Sequence, residues 1–343
     1  MWFFKREQEG TKTMKRSSLI YLALVAVMVI TLVAPLTATA QEPEEEYVFV
    51  AYVTSIPFWT DPVAGFMAAC DALGVKGTFT GPVEFDAAAQ ARTIDELIAK
   101  KPAGIVIFPA DPDALSDPLK RAMEAGIPVI CANSDVTDLS ARYGYVGINN
   151  LEGGKLGGGI AVDLLTEKYG EPKGKVAIMT MPGVTVHEDR KDGYLAVFEQ
   201  YPNIEIVDIV NDKADPSVGV TVAGALIQAN PDLDMIVGTD ATSGASAARA
   251  VVEANKKGEI LIVAMDRDED LLDYIADGTV AASLAQRNFL EEWLGVHYLY
   301  WLNHDMIQAL PDWKAANAPQ IPPNTDTGAM VITADNVDQF RHE

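Results

Sequence analysis

The chain has 343 residues and a mass of 36.9 kDa, enough for two ordinary domains with buried cores, which excludes a disulfide-stapled miniprotein. An apolar share of 49% beside 22% charged residues, with 26 Gly and 19 Pro, lies in the globular range and outside disordered and fibrous compositions. Lys and Arg total 26 against 49 acidic residues; the field of a net charge of −23 repels polyanions and makes nucleic acid a poor candidate partner.

Residues 1–40 differ from the rest. Lys5, Arg6, Lys12, Lys15 and Arg16 precede an apolar run from Leu19 to Ala34, and Ala38-Thr39-Ala40 has the small-x-small form of a cleavage site. The pattern predicts a secretory signal peptide cut after Ala40, with Met14 as an alternative start. The 16 residues from 19 to 34 fall short of the roughly 20 that a membrane span takes, which disfavours an anchor. Cleavage removes five basic and two acidic residues and leaves 21 against 47, a net charge of −26 on the exported body. No cysteine stands just after the apolar run, so no lipid anchor is expected. Cys70 in an Ala-rich helical stretch and Cys131 in an apolar strand read as two buried thiols rather than one bridge.

From Tyr47 the elements alternate. A strand over 47–53 leads through a Pro/Trp loop into a helix marked by Val63, Phe66, Met67 and Cys70. A strand at 77–80, a helix over 87–100, a strand over 103–108, a helix over 113–124 and a strand over 127–132 follow. Near Asn149 a second series starts: helices over 155–169, 189–201, 218–228, 244–256 and 269–277 alternate with strands over 175–181, 204–210, 235–238, 260–265 and 280–285. Strands that are apolar throughout, between amphipathic helices, predict parallel sheets covered on both faces and an α/β fold. The two series echo each other: Ile105 to Asp111 and Gly126 to Asn133 resemble Met235 to Asp240 and Gly258 to Asp266. Two similarly built halves are expected, joined near 147–150.

The polar residues recur at one place. Asp111, Asn133, Asp240 and Asp266 follow closely on the carboxyl ends of apolar runs, the edge that faces the ligand crevice in open parallel sheets. Phe58 and Trp59 stand at the same place after the first strand. Aromatic faces suit the C–H side of a sugar ring, and carboxylates and amides suit its hydroxyls. Helix capping is the open alternative for Asp111, Asp113 and Asp240, and packing under a loop for Phe58 and Trp59.

Motifs for catalysis are mostly missing. There is no GxxxxGK[ST] loop, no HExxH and no GxSxG, and the run Gly153 to Gly159 fails the GxGxxG spacing, so its glycines read as permitting close helix packing. His297 and His304, seven apart in an aromatic stretch, read as a helix face. His187-Glu188-Asp189-Arg190 is the one polar cluster that invites a chemical reading; capping of the following helix by Glu188 or Asp189 is the alternative.

Taken together, Ser55-Ile-Pro-Phe-Trp59, Pro109-Ala-Asp-Pro-Asp-Ala114, Gly126-Ile-Pro-Val-Ile, Asn133-Ser-Asp135, Asp266 and Ala285-Gln286 resemble the type 1 periplasmic sugar-binding proteins, in particular the ribose-binding-like group with its rhamnose and furanosyl-autoinducer relatives. The resemblance covers nearly the whole mature chain. It implies two Rossmann-like lobes with three hinge crossings and a ligand cleft between them: an N-terminal lobe of 41–148 plus 287–318 and a C-terminal lobe of 149–286 plus 319–343. By resemblance Phe58 and Trp59 would stack on the ring and Asp111 would support the N-lobe side. Asn133 stands where the family often has Asp, and Asp240 or Thr239, Asp266 and Gln286 would hold hydroxyls. Arg190, three before Gly193, matches the family's R-x-x-G. The implied protein is a monomeric, non-enzymatic carrier that delivers a monosaccharide to an ABC importer permease, with no cofactor or metal. Ile56, Ser134 and Glu188 depart from the ribose binders, which carry Asn, Arg and Arg there. The alternatives are an exported sugar-acting enzyme on the same scaffold and a chemosensory sugar or autoinducer receptor protein. A regulator's sensor core is disfavoured by the signal peptide and the charge.

Overall fold

The computed structural model describes residues 45–307 and 320–341. The expected signal peptide with its cleavage site, and His342, lie outside the described residues.

Two six-stranded sheets organise the chain. The first contains β1 (Glu46–Val50), β2 (Lys76–Thr80), β3 (Gly104–Ile107), β4 (Val129–Ala132), β5 (Gly144–Gly147) and β11 (Asn324–Asp326), in the order β11-β5-β4-β3-β1-β2, all parallel. The second contains β6 (Gly174–Thr180), β7 (Ile204–Asn211), β8 (Met235–Gly238), β9 (Leu261–Met265), β10 (Ala282–Ala285) and β12 (Met330–Ile332), in the order β12-β10-β9-β8-β6-β7, with β12 antiparallel to β10. The helices are α1 (Thr60–Leu73), α2 (Ala87–Lys100), α3 (Pro112–Glu124), α4 (Asn150–Tyr169), α5 (Thr185–Phe198), α6 (Pro216–Ala229), α7 (Ser243–Glu253), α8 (Glu269–Ala276) and α9 (Asn288–Asn303).

Alternate strand residues feed opposite faces of each sheet, which is why the runs are apolar throughout. In the first lobe Tyr47, Phe49, Val106 and Ile130 pack with Phe66 of α1 and Val296 and Leu299 of α9, whereas Val48, Val50, Ile105 and Val129 pack with Ile94 of α2 and Leu115 and Leu119 of α3. In the second lobe Met179, Ile236 and Ile262 face α6, α7 and α8, and Val176, Ile178 and Val237 face α4 and α5. Cys70 and Cys131 are free and buried, and burial pushes the Cys70 thiol up to about 12.

The strand at 324–326 is a departure from the expected division. Its pairing with β5 (Asn324 with Tyr145, Asp326 with Gly147) keeps the tail on the first sheet until Asp326, so the last crossing falls between Thr327 and Ala329 rather than ahead of 319. Three polar residues form this edge strand, and their pairing is set by the β5 backbone rather than by side-chain pattern.

Candidate functional site

The carboxyl ends of the two sheets carry matched geometry. Asn133, next after β4, and Asp266, next after β9, both adopt left-handed backbones, with φ of 62° and 69°. Asn and Asp tolerate that region better than other side chains, and such strain persists only where surrounding bonds fix it. Here the Asn133 N–H donates to the Val146 carbonyl at 3.0 Å and the Asp266 N–H to the Leu284 carbonyl at 2.7 Å. The left-handed turn bends the chain off the strand end.

Each of these side chains is then held by neighbours. The Asn133 amide Nδ2 donates to Asn288 Oδ1 at 3.0 Å and to Glu291 Oε2. Asp266 accepts from Gln286 Nε2 at 3.1 Å, and its backbone carbonyl accepts from Ser283 Oγ at 2.6 Å. Arg190 donates from Nε to Asn150 Oδ1 at 2.8 Å and from a terminal nitrogen to the Thr239 carbonyl at 2.9 Å, joining α5, α4 and the end of β8. Asp240 divides its carboxylate: Oδ1 accepts from Thr242 N, Thr242 Oγ1 and Ser243 N at 2.8–3.0 Å, fixing the start of α7, while Oδ2 is buried with no hydrogen-bond partner among the described residues. The capping reading of Asp240 is met by Oδ1.

The same lack of a partner marks Asn133 Oδ1, Gln286 Oε1, His187 Nδ1 and Trp59 Nε1. A buried polar atom left unpaired costs about 1–3 kcal/mol. Asn133, Asp240 and Gln286 stand at the ends of β4, β8 and β10, while Trp59, His187, Tyr194 and Glu292, whose unpaired atoms are also buried, lie on turns and helices, and this concentration points to a partner outside the chain. Charges carry the same message of two converging lobes. The Tyr52 phenol, just beyond β1, is pushed up by burial and then by Asp240 and Asp266 of the other lobe. Burial raises the Asp266 carboxyl, with Asp240 adding to it and Arg190 and Gln286 pulling it back. His187 is held toward its neutral form, chiefly by burial. At the rim Arg267, adjacent to Asp266, pairs with Asp61 at the start of α1.

The aromatic pair is split in its environment. Trp59 is only 4% exposed and packs among Phe49, Tyr52, Phe79 and Phe108 at centroid distances of 5.5–5.9 Å. It belongs to the first lobe's core, and its indole N–H is the atom left without a partner. Phe58 stands edge-on to it at 5.0 Å and keeps part of its ring exposed. Asp111 lies outside the orphan set: its Oδ1 caps α3, accepting from Asp113 N at 3.0 Å and Ala114 N at 2.7 Å. Glu188 and Asp189 do not precede α5 but lie within it; Glu188 reaches back to accept from Gly183 N at 3.1 Å and pairs with Lys191.

Glu291, Glu292 and Asn288 of α9, Tyr145 of β5 and Asn150 of α4 belong to the surroundings of these side chains and were not legible as such. The available signal was Glu291-Glu292 inside an otherwise aromatic and aliphatic helix, where burial of adjacent carboxylates is costly. Both are fully buried, and burial pushes both carboxyls up. Among the described residues no group of three or more His, Cys, Asp or Glu side chains could hold a metal ion.

Comparison with known proteins gives a match over residues 47–302 to the family described as periplasmic binding protein domain. The D-allose-binding periplasmic protein of Escherichia coli K12 is 28% identical over 264 residues, 75% of this chain and 84% of that protein. A sugar ABC transporter sugar-binding protein of Bacillus halodurans superposes with a TM-score of 0.79 at 30% identity, covering 87% of this chain and all of that one. A solute-binding protein of Burkholderia graminis solved with D-arabinose gives 0.77 at 27% identity, over 87% of this chain and 98% of that one.

Proposed function

Since the chain belongs to the periplasmic binding protein family, we propose that it is an extracytoplasmic carrier that captures a neutral monosaccharide between its lobes and delivers it to the permease of an ABC importer. The observation that carries this reading is the set of buried, unpaired polar atoms contributed by both lobes: Trp59 Nε1 and Asn133 Oδ1 from one, Asp240 Oδ2, Gln286 Oε1 and His187 Nδ1 from the other. Sugar hydroxyls both donate and accept, so one ring supplies partners to several such atoms at once. Asp240 and Asp266 would accept from hydroxyls, Arg190 would donate to ring or hydroxyl oxygens, and Phe58 would cover the C–H side.

Two buried carboxylates beside one arginine disfavour a further negative charge, so uronates and sugar phosphates are poor ligands. Because each lobe holds part of the contacts, the ligand stabilises the closed arrangement through its preference for it, and release requires opening. The ligand leaves chemically unchanged. The sugars named for the relatives, D-allose and D-arabinose, are neutral aldoses and make the first probes. Export by the signal peptide accords with the family's location.

A thermal-shift screen of D-allose, D-ribose, D-arabinose, D-xylose, L-rhamnose, polyols, glucuronate and ribose 5-phosphate tests the reading. At one hundred times its Kd a ligand stabilises by about 2.7 kcal/mol, which is several degrees. A rise with at least one neutral sugar and none with the two anions is expected; no rise with any sugar overturns it.

A further inference from the structure

Asn133 presents a neutral amide that can turn either end to the cleft, and its neighbours decide which. Nδ2 is occupied twice, by Asn288 Oδ1 at 3.0 Å and by Glu291 Oε2, and Oδ1 is the buried atom without a partner. Glu291 is itself 0% exposed, and its other oxygen accepts from Thr327 Oγ1 at 2.8 Å, on the last crossing between the lobes. Glu291 accepts on both oxygens, from Asn133 Nδ2 and Thr327 Oγ1, and these bonds favour its ionised form against the burial that raises it. An ionised carboxylate cannot donate, so a flipped Asn133 amide would leave two buried acceptors facing each other. Tyr145 OH fixes the same residue from behind, donating to the Asn133 backbone carbonyl at 3.2 Å.

We propose that Glu291 is a positioning residue that locks the Asn133 amide with its carbonyl oxygen toward the cleft, so that the ligand must present a hydroxyl donor there. This rests on the sugar-carrier reading for the identity of the ligand, though not for the orientation of the amide. The pair Asn133–Glu291 thereby does with a donor and a displaced carboxylate what a single carboxylate on β4 would do alone. Thr327 links the same carboxylate to the last crossing.

Reversing the pair tests the assignment. Asn133→Asp alone sets one carboxylate against another; adding Glu291→Gln supplies an amide that donates to the introduced carboxylate, and the Asn288 amide turns to do the same. With the neutral sugar found to bind the wild type, Asn133→Asp is expected to weaken affinity at least tenfold at neutral pH. In the Glu291→Gln background the same change is expected to cost less than threefold. A merely structural role for Glu291 would make the two losses add. Equal losses in both backgrounds, or no loss from Asn133→Asp alone, overturn the proposal.

A second readout needs no sugar. Around the pair stand Arg190 and Asp266 of the other lobe, Glu292, Tyr145 and Thr327, all unchanged between the variants. Two facing carboxylates share a proton in the native state that the unfolded chain releases above about pH 4.5, so Asn133→Asp should lose melting temperature as pH rises from 5 to 8. Because burial already raises Glu291 in the wild type, the readout is the pH dependence that Asn133→Asp adds to each parent: large against the wild type, small against Glu291→Gln. Equal added slopes in the two backgrounds overturn the proposal even if binding is unaffected. A coupled melting curve without binding of any sugar would instead contradict the carrier reading and leave the Glu291 assignment standing.

Discussion

Asn133 and Asp266 occupy equivalent strand ends yet carry different charges, and the difference sets what each can do. Asp266 is a buried carboxylate with Gln286 as its amide partner, and hydrogen bonds to a charged acceptor are about twice as strong as neutral ones. Asp266→Asn keeps the size, the tolerance for left-handed backbone and an oxygen for Gln286. Sugar affinity by calorimetry is expected to fall about tenfold, roughly 1.4 kcal/mol, with little change in unfolding. Behind Asp240 sits Asp212, fully buried and bonded by Ser243 Oγ at 2.7 Å; burial and the neighbouring Asp240 push its carboxyl up. A raised native pKa means that the folded state holds a proton which the unfolded chain has released, so stability is lost as pH rises above about 4 toward the native pKa. Melting temperature should therefore drop less between pH 5 and 8 for Asp212→Asn than for the wild type. His187, held neutral, contributes the opposite slope in both proteins and cancels in the comparison. The strand-end residues were readable from sequence because a polar residue ending an apolar run repeats in both halves. Asp212, Glu291 and Glu292 were not, since a charged residue in a loop or helix reads as solvent-facing until the packing around it is known.

At the scale of elements, the second lobe's part of the candidate site depends on how closely α4 and α5 cross. A methyl group added at Gly154 would overlap the Arg190 carbonyl oxygen, and one at Gly193 would overlap the Leu151 carbonyl oxygen. Glycine at both positions lets the two backbones touch, and this contact sets the height at which the Arg190 guanidinium meets Asn150 and Thr239. Gly154→Ala should destabilise by about 2 kcal/mol, as overpacking typically does, and should weaken sugar binding as well because Arg190 must move. A chemical-denaturation midpoint combined with a sugar titration checks both; unchanged affinity would detach the crossing from the site. The glycine run was legible as a packing device, but the helix was expected only from Lys155, since glycines lower helical propensity and Asn149 capping through Glu152 N is what carries α4 back to Asn150. The four-residue β5 and three-residue β11 escaped notice for a related reason: strands this short carry too few side chains to show a period, and the sheet beside them recruits their backbones.

In the molecule as a whole, side-chain contacts link the two lobes in addition to the chain itself. Asp61 of the first lobe pairs with Arg267 of the second, with both side chains largely buried, and Asp326 Oδ1 accepts from Asn149 N at 3.3 Å beside the crossings. Such a pair favours the closed arrangement over the open one, where water and ions screen each partner. Asp61→Asn should accordingly raise the sugar's dissociation rate several-fold while changing its association rate little, as stopped-flow fluorescence would show. The twin-lobed architecture was legible because the alternation of apolar strands and amphipathic helices runs through both halves; the point of the last crossing was not, because it hangs on one short edge strand. The most direct test of capture between lobes is isothermal titration of the stabilising sugar into the wild type, a first-lobe variant (Asn133→Ala) and a second-lobe variant (Asp266→Ala). One site per chain, weakened tenfold or more by either change, is expected. Full affinity with one of the two lobes altered would place the sugar elsewhere and contradict capture in the cleft.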